Sequence, residues 1–417
     1  MSRRVVIVGA GVIGCCCALE ARRRGWTVVV ADRGGPEDEG CSFGNAGMIV
    51  PSHFIPLAAP GMVAMGLRMM GNPESPFFLK PRLDGDLAAW VWRFVRSATR
   101  AHVERSAPLL RDLSLASRAL YVDWSREWGH PFGLEQRGLL MLCKTGPGLE
   151  EEAGTAARAR DLGLRAEVMD PAGLARLEPG LRMDVAGGVH FPQDCHLSPS
   201  AFLGALREKL RAQGVEFRWH WRAAGWKEAA DGARALEGAD GALEADAFVL
   251  AAGVWTSELA KLLGAALPMQ AGKGYSVTLE RPRELPRICA ILSEARVAVT
   301  PMGGRLRFGG TMEISGLDER INPRRLEGIA KSVPRYFPAY TAEDLRGTPV
   351  WHGLRPCSPD GLPYLGALRG APNVIVASGH AMMGLSLAPI TGQLVGSLLG
   401  REAPSIDIGL LDPARFD

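Results

Sequence analysis

The segment 5–32 constrains the fold most, because its residues follow one another as strand, glycine loop, helix and strand. Residues 5–8 are β-branched and end at Gly9, which predicts a buried parallel strand. The small residues of 13–24 predict a helix, and the valine-rich run 27–31 predicts a second buried strand. Together these segments predict one complete βαβ unit.

The loop of this unit has the sequence Gly9-x-Gly11-x-x-Gly14, and Asp32 ends the second strand. Gly9 permits a tight turn, Gly11 lets the backbone approach a pyrophosphate, and Gly14 lets the helix pack against the strand. The helix N-terminus offers N–H groups and a positive dipole end to phosphates. Asp32 stands where a carboxylate binds ribose hydroxyls. This agreement predicts a dinucleotide site rather than a glycine-rich structural turn, and it does not separate FAD from NAD.

Length and composition limit the class of protein. At roughly 100–200 residues per domain, 417 residues indicate two or three domains. The apolar share of 47% and the charged share of 22% exclude a disordered or collagen-like chain. Lys and Arg number 48 against 45 Asp and Glu, and no block of like charge stands out, so no nucleic-acid partner is expected.

The eight cysteines form no CxxC pair, so they indicate neither a disulfide framework nor a zinc site, and no bound metal is expected. Free thiols are typical of a reducing, cytoplasmic location. The apolar run after Arg4 ends at Gly9, which is too short for a signal peptide. No uninterrupted apolar stretch reaches the roughly 20 residues of a membrane-spanning helix.

The rest of the chain contains further strand-like and helical segments. Within 87–98, apolar residues recur at helical spacing with arginines on the opposite side, which predicts an amphipathic helix. The other predicted elements are helices over most of 55–130, short strands and a helix over 137–195, a helix at 200–212, a strand at 215–219, a hairpin over 224–246 with turns at 231–232 and 240–241, a strand at 247–250, strands over 272–314 with a turn at 303–304, a strand at 373–377 and a helix at 383–399.

The segments 5–32, 247–253 and 373–399 all predict strand–turn–helix elements of one sheet, and the segments between them are longer than crossovers need to be. We therefore predict an α/β fold, with a discontinuous Rossmann-like dinucleotide-binding domain and an inserted α+β substrate-binding (cap) domain. The predicted boundaries are 1–52, 190–265 and 345–417 for the dinucleotide-binding domain, and 53–189 and 266–344 for the cap domain.

Several motifs together resemble the D-amino-acid oxidase-like FAD-dependent oxidoreductase family, and within it most of all the bacterial D-amino-acid dehydrogenases. Besides the glycine loop, Ser42-x-x-Asn45-Ala46-Gly47 resembles the family's loop against the flavin ring. The further matching segments are 58–61, 82–86, 273–276, 307–313, 351–361 and 378–384. These segments spread over nearly the whole chain, so the resemblance covers the fold as well as the site.

The resemblance implies FAD as the cofactor and assigns residues to it. The residues that it implies for FAD binding are Gly9, Gly11, Val12, Ile13, Gly14, Asp32, Arg33, Ser42, Asn45, Ala46, Gly47, Met48, Ala252, Gly253, Trp255, Gly379, His380, Met383, Gly384 and Leu385. Relatives that oxidise N-methyl amino acids attach FAD through a cysteine. Cys357 falls several residues past that position, so non-covalent FAD is expected and Cys357 is interpreted as a packing residue.

The resemblance also implies a substrate site. Arg355 would pair with the substrate carboxylate, since a guanidinium fork matches a carboxylate. Tyr275 is interpreted either as a pocket residue that closes over the amino acid or as a buried core tyrosine. His352 would shape substrate choice or fill space. A role as general base is a minor alternative for three further histidines, His53, His196 and His380.

The implied reaction is oxidative deamination of a D-amino acid by hydride transfer from Cα to flavin N5. Hydrolysis of the imine gives a 2-oxo acid and ammonia, and a quinone or another carrier takes the electrons. The alternatives are a D-proline or hydroxy-D-proline dehydrogenase giving a pyrroline carboxylate, a glycine or sarcosine oxidase, a flavin domain that acts on a larger partner, and an NAD enzyme. The 87–98 helix would either pack on the cap domain or touch the inner face of the cell membrane peripherally.

Overall fold

The computed structural model describes residues 3–229 and 232–417. The predicted βαβ unit is present, with the strand Arg4–Val8, the helix Val12–Arg23 and the strand Thr27–Ala31. The other α-helices of the described residues are Met62–Met70, Gly85–Ser97, Arg100–Glu127, Gly146–Asp161, Pro171–Leu177, Pro199–Ala212, Thr256–Lys261, Pro323–Tyr336 and Gly384–Gly400.

A six-stranded sheet, here the first sheet, contains this unit. In spatial order its strands are Tyr364–Leu368, Ala371–Ser378, Ala247–Leu250, Arg4–Val8, Thr27–Ala31 and Glu216–Arg218. All neighbours are parallel except the pair at the Tyr364–Leu368 edge. Its central strands are buried on both faces, which explains why they are continuously apolar, with valine runs in Arg4–Val8 and Thr27–Ala31, rather than alternating.

The two faces of the first sheet bury different layers. Val5 and Ile7 point into a cluster formed with the helices Val12–Arg23 and Gly384–Gly400, while Val6 and Val8 point to the opposite side. There the sheet is covered by three antiparallel strands, Ala223–Ala229, Gly232–Gly238 and Gly241–Glu244. The prediction of a hairpin over 224–246 with two turns is confirmed at the second turn, near 240–241, and the region forms three strands rather than the two of a hairpin. Asp231, in the first predicted turn, lies outside the described residues.

A second sheet has nine strands. In chain order they are Phe77–Leu79, Leu139–Cys143, Glu167–Met169, Gly187–Phe191, Gln270–Leu279, Cys289–Leu292, Val297–Met302, Arg305–Ile314 and Val350–Cys357. The predicted turn at 303–304 joins two of them, and both Gly303 and Gly304 have positive φ, as a tight hairpin turn requires. A separate two-stranded pair joins Met48–Ile49 to Cys195–His196.

The sheets support the predicted α/β class, and the exact boundaries of the two domains stay a prediction. The strand Val350–Cys357 pairs with Gln270–Leu279 in the second sheet, although the prediction assigns 345–417 to the dinucleotide-binding part. This strand therefore brings residues of the second sheet to the edge of the first. That contact between the two sheets positions the site described below.

Two predictions about helices can be compared with the structure. The stretch Ala381–Gly400 is long and apolar enough to cross a membrane by length and composition alone. Of its most apolar window 72% is buried inside the protein, and the helix packs against Val12–Arg23 and Arg100–Glu127, as a core helix would. In the helix Gly85–Ser97, Leu87 and Trp90 are buried as predicted, but Val95 is 48% exposed.

Candidate active site

A cavity of about 530 Å³ lies at the carboxyl ends of the central strands of the first sheet. The first residue after each of three strands lines it, at Gly9, Asp32 and Ala251, and a fourth strand ends in it at Ser378. The strand Val350–Cys357 of the second sheet forms the opposite wall. A crevice outside the carboxyl ends of parallel strands is where doubly wound sheets bind their ligands.

The glycine loop is packed too tightly for side chains. Gly9 has φ +109°, and a Cβ there would lie 2.3 Å from the carbonyl oxygen of Ala251. A Cβ on Gly14 would lie 1.8 Å from the carbonyl oxygen of Gly9, so Gly14 brings helix and strand together as predicted. The helix Val12–Arg23 has Gly11 at its N-cap, which provides no side-chain cap. Its first turn therefore presents backbone N–H groups to an anion.

Asp32 holds this loop in place as well as lining the cavity. Its Oδ2 accepts a hydrogen bond from the backbone N–H of Ala10 at 2.6 Å, and its Oδ1 accepts one from Gly34 at 2.8 Å. A carboxylate has about four acceptor positions, so two remain for ligand hydroxyls. The predicted ribose contact is compatible with this geometry.

The loop 41–48 has a lining part and a supporting part. Cys41, Ser42 and Asn45 line the cavity, and the Ser42 hydroxyl accepts a hydrogen bond from the N–H of Val12 at 3.0 Å. The Asn45 side chain accepts one from the N–H of Gly47 at 2.9 Å, which fixes the turn. The predicted FAD residues Ala46, Gly47 and Met48 lie behind this surface and do not line the cavity.

The end of the cavity beyond Asp32 contains a cation–π pair. The Arg33 guanidinium lies 3.4 Å from the centroid of the Trp255 ring. Its Nη2 lies 3.8 Å from the Oε1 carboxylate oxygen of Glu319. Both Arg33 and Trp255 line the cavity, together with Ala252 and Gly253.

The C-terminal loop contributes a buried histidine. His380 accepts or donates through Nε2 to the Thr391 hydroxyl at 3.0 Å, and its Nδ1 is buried without a partner. Burial lowers the pKa of His380 to about 3, so the imidazole is neutral at pH 7. His380, Gly384 and Leu385 line the cavity. The other predicted residues of this loop, Gly379 and Met383, do not line the cavity.

Arg355 lies in the wall formed by the second sheet. Its Nη1 donates to the backbone carbonyl of Thr311 at 2.8 Å, and no carboxylate within the described residues pairs with it. The guanidinium lies over Gly274, and a Cβ on this glycine would be 2.2 Å from the guanidinium nitrogens. His352 lines the same wall two residues earlier. A half-buried guanidinium with a neutral partner can take an anionic ligand.

The structure corrects the interpretation of Tyr275 as a pocket residue. Tyr275 is 1% exposed and does not line the cavity. Its hydroxyl donates to Glu313 at 3.0 Å and accepts from the N–H of Asn322 at 3.2 Å. Glu313 in turn lies 3.5 Å from the buried Lys273 ammonium. The alternative of a core tyrosine, which the sequence left open, is therefore the one that the structure supports.

The histidines His53 and His196, considered as general bases, lie outside the cavity lining. His53 contacts the Ser52 hydroxyl at 3.1 Å, and burial lowers the pKa of both His53 and His196 to about 4. Cys357 is fully buried beside Met312, as expected of a packing residue. Neither histidine stands among the residues that line the cavity.

Several lining residues escaped the sequence reasoning. Arg207 donates to the carbonyls of Ala10 at 2.9 Å and Pro36 at 3.0 Å, which closes the glycine loop from the helix Pro199–Ala212. The sequence did contain a signal for Arg207. It lies four residues after the buried Leu203, which places this arginine on the apolar face of its helix. Trp221 and Glu319 also line the cavity, and no motif marked them. Cys41 lines it as well, beside the Ser42 motif, but was not assigned to the site.

The residues present fit FAD. The cavity is of a size that binds cofactors, roughly 300–1,000 Å³. Two of its side chains have buried polar atoms without partners, His380 Nδ1 and Arg207 Nε. A glycine loop, a helix N-terminus and Asp32 supply the groups that a pyrophosphate and a ribose need. The described residues contain no group of three side chains that could hold a metal ion.

Comparison with known proteins agrees with this geometry. The family model described as FAD dependent oxidoreductase, DAO, matches residues 4–398. A protein of Granulibacter bethesdensis named D-amino acid dehydrogenase is 34% identical over 420 residues, which cover 99% of each chain. One of Methylobacterium radiotolerans with the same name is 35% identical and covers 96% of this chain and 97% of its own.

Solved structures share the fold. Glycine oxidase from Geobacillus kaustophilus has a TM-score of 0.80 at 23% identity, over 100% of both chains. L-proline dehydrogenase from P. horikoshii has a TM-score of 0.76 at 17% identity, over 100% of this chain and 98% of its own. With the family model and the relatives above 30% identity spanning nearly the whole length, the chain belongs to the FAD dependent oxidoreductase family, DAO, and is an oxidoreductase.

Proposed function

We propose that the protein oxidises free D-amino acids with non-covalently bound FAD, and that Arg355 binds the substrate carboxylate. The observation that carries this proposal is the Arg355 guanidinium at the cavity wall, with a carbonyl as its neighbour and no carboxylate partner in the described part of the chain. The relatives named D-amino acid dehydrogenase support the substrate class.

The residues that would hold FAD divide by chemistry. The glycine loop and the first turn of the helix Val12–Arg23 would hold the pyrophosphate, and Asp32 the ribose. When bound, FAD supplies a two-electron acceptor for the hydrogen on the substrate Cα.

The chain's own residues orient the substrate. Arg355 offers a fork of two N–H groups that fixes the plane of a carboxylate, and a fixed carboxylate sets the direction of the Cα–H bond. His380 is buried and neutral, so it adds no charge to the cavity. After oxidation, water would hydrolyse the imine to a 2-oxo acid and ammonia, and a quinone or another carrier would take the electrons.

Non-covalent binding is supported by the placement of the thiols. Cys357 is buried and outside the cavity lining, and burial raises the pKa of its thiol. Cys41 lines the cavity, and burial raises the pKa of its thiol as well, which disfavours a nucleophilic thiolate. The mass of the acid-denatured polypeptide tests this point: it should equal the mass of the chain alone, and an added FAD mass would refute non-covalent binding.

The visible spectrum of the purified protein under anaerobic conditions tests the proposed reaction. D-alanine, L-alanine, D-proline, cis-4-hydroxy-D-proline, glycine and sarcosine are added separately. Bleaching by D-alanine and not by L-alanine is the expected result. Fastest bleaching by a D-imino acid, or by glycine or sarcosine, would replace the proposed substrate class with a cyclic or an achiral one. A flavin that none of them bleaches would contradict the proposal.

The proposed location is the cytoplasm, with peripheral contact to the inner membrane face. The helix Gly85–Ser97 leaves Trp92 55% exposed and Val95 48% exposed, and Arg93 and Arg96 lie beside the Trp92 ring. Aromatic and basic side chains on one exposed helix suit an anionic bilayer surface. Co-flotation with anionic vesicles, lost in Trp92→Ser, is expected. Equal flotation of both proteins would remove this helix from the contact.

A further inference from the structure

A second cavity, of about 470 Å³, lies between the segment 68–76 and the helix Pro323–Tyr336. Three arginines line it: Arg68, Arg325 and Arg335. Within the described residues none of the three forms an ion pair with a carboxylate, whereas the neighbouring cations Lys331 and Arg346 both do. A concentration of unpaired guanidinium groups around one hollow is typical of an anion site.

Arg325 is the buried member of the three. It is 3% exposed, and its Nη1 donates to the carbonyls of Ser75 at 2.9 Å and Asn72 at 3.2 Å. Its Nε is buried and has no partner. Glu313 acts on Arg325 only at longer range, beyond ion-pair distance. A buried cation without a carboxylate partner is costly, and an anion in the cavity would compensate its charge.

The carboxylates of the lining are already engaged. Glu74 pairs with Lys331 at 2.7 Å. Glu294 accepts from the Tyr336 hydroxyl at 2.6 Å and from the backbone N–H of Lys144 at 3.0 Å. The cations that line the cavity are Arg68, Arg325, Lys331 and Arg335, so among the lining side chains four positive charges face two negative ones and an excess of two remains. Glu327, outside the lining, lies 3.7 Å from Lys331 and does not pair with the three arginines.

We propose that this cavity binds a small oxyanion with two negative charges, of the dicarboxylate or phosphate class. The excess of two charges matches a dianion, and guanidinium forks bind carboxylate and phosphate oxygens in pairs. The volume accommodates a ligand of this size with water. The site is separate from the cofactor cavity. Thr311 lines the second cavity, while its carbonyl holds Arg355 in the wall of the first.

Isothermal titration calorimetry of the FAD-loaded protein tests the proposal, with succinate, inorganic phosphate and acetate as probes. Binding of succinate or phosphate, and weaker binding of the monoanion acetate, is expected. The variant that combines Arg68→Gln with Arg335→Gln should bind the dianion at least about tenfold more weakly, the effect of losing one charge-assisted hydrogen bond. Both arginines are exposed and unpaired, so the variant should fold.

Two control variants distinguish this site from others. Arg324→Gln removes one charge from the same helix, at an exposed position that does not line the cavity, and should leave binding unchanged. Arg355→Gln removes the carboxylate site proposed for the other cavity, and the dianion binding that depends on Arg68 and Arg335 should persist in it. No binding of either dianion, equal loss in Arg324→Gln, loss only in Arg355→Gln, or equal affinity for acetate would each overturn the proposal.

Discussion

Arg355 donates from Nη1 to the carbonyl oxygen of Thr311 at 2.8 Å, and Thr311 has φ +74°. A β-branched residue rarely adopts this conformation, and it occurs here at a bulge. Between the pairs Lys273–Glu313 and Tyr275–Gly310, the strand Arg305–Ile314 contains one residue more than its partner. The bulge turns the Thr311 carbonyl out of the ladder and towards the guanidinium. A neutral acceptor orients Arg355 without cancelling the charge that a substrate carboxylate needs.

Gly274→Ala should displace Arg355. The new Cβ would lie 2.2 Å from two guanidinium nitrogens, so the side chain must leave its position over the strand. Losing an oriented charge-assisted pair should raise the KM for the D-amino acid at least about tenfold, while FAD stays bound. Steady-state kinetics and the flavin-to-protein ratio measure the two effects.

The matched control is Gly309→Ala on the neighbouring strand, whose Cβ would meet ordinary contacts beginning at 3.7 Å. It should leave the KM unchanged. A normal KM in Gly274→Ala would remove Arg355 from the substrate site.

Gly14→Ala should produce protein that lacks FAD. Its Cβ would lie 1.8 Å from the Gly9 carbonyl oxygen, and neither backbone can move without separating helix from strand. Gly204→Ala is the control, because it lies in the helix Pro199–Ala212 with nothing within 4 Å of a Cβ. That change should raise helix stability by up to about 1 kcal/mol and leave FAD binding intact. Full flavin content in Gly14→Ala would contradict the proposed pyrophosphate site.

The sequence predicted the parts of the site that local constraints decide. The glycine loop, Asp32 and the loop around Ser42 depend on short segments whose residue types have few alternative structures. Residues brought in by distant packing were missed: Arg207 reaches the glycine loop from a helix almost 200 positions later in the chain. Tyr275 shows the converse, since its motif resembled a pocket segment while burial placed its hydroxyl in the core.

The sequence also did not predict to which sheet a strand belongs. The sequence of residues 350–357 has no periodicity that would assign this strand to the first or the second sheet. Its pairing with Gln270–Leu279 places it in the second. The same holds for the three strands over 223–244. Short antiparallel strands carry no sequence signal for how many neighbours each one pairs with.

Tyr275→Phe should lower stability and leave catalysis unchanged. The change removes the hydrogen bonds to Glu313 and Asn322 in a buried site, a loss of about 1–3 kcal/mol of unfolding free energy. The kcat and KM for the D-amino acid should stay within about twofold, since the hydroxyl does not line the cavity. Tyr340→Phe, which removes another buried hydroxyl bonded to the backbone of Glu284, serves as the control for stability alone. A large fall in kcat with unchanged stability would return Tyr275 to the active site.

The burial of the Asp194 carboxyl predicts that the stability of the protein depends on pH. It is 1% exposed, and burial raises the pKa of its carboxyl from 3.8 to about 7, although Ser52 donates to it from the backbone N–H at 3.1 Å and from the hydroxyl at 2.5 Å. Between these two pH values the folded state binds the proton and the unfolded state does not. The contribution of Asp194 to stability is therefore present at low pH and is lost as pH rises towards 7.

Asp194→Asn should remove this dependence while keeping the shape of the side chain. Between pH 5 and pH 8 the wild-type protein should lose about 3 kcal/mol relative to the variant, at 1.36 kcal/mol per pKa unit over about two units. Urea titrations at the two pH values measure the difference. Ser52→Ala gives a second test, because it removes the donor that lowers the pKa of Asp194 and so should extend the loss to higher pH. Parallel pH profiles for the wild type and Asp194→Asn would show that the folded protein holds Asp194 ionised.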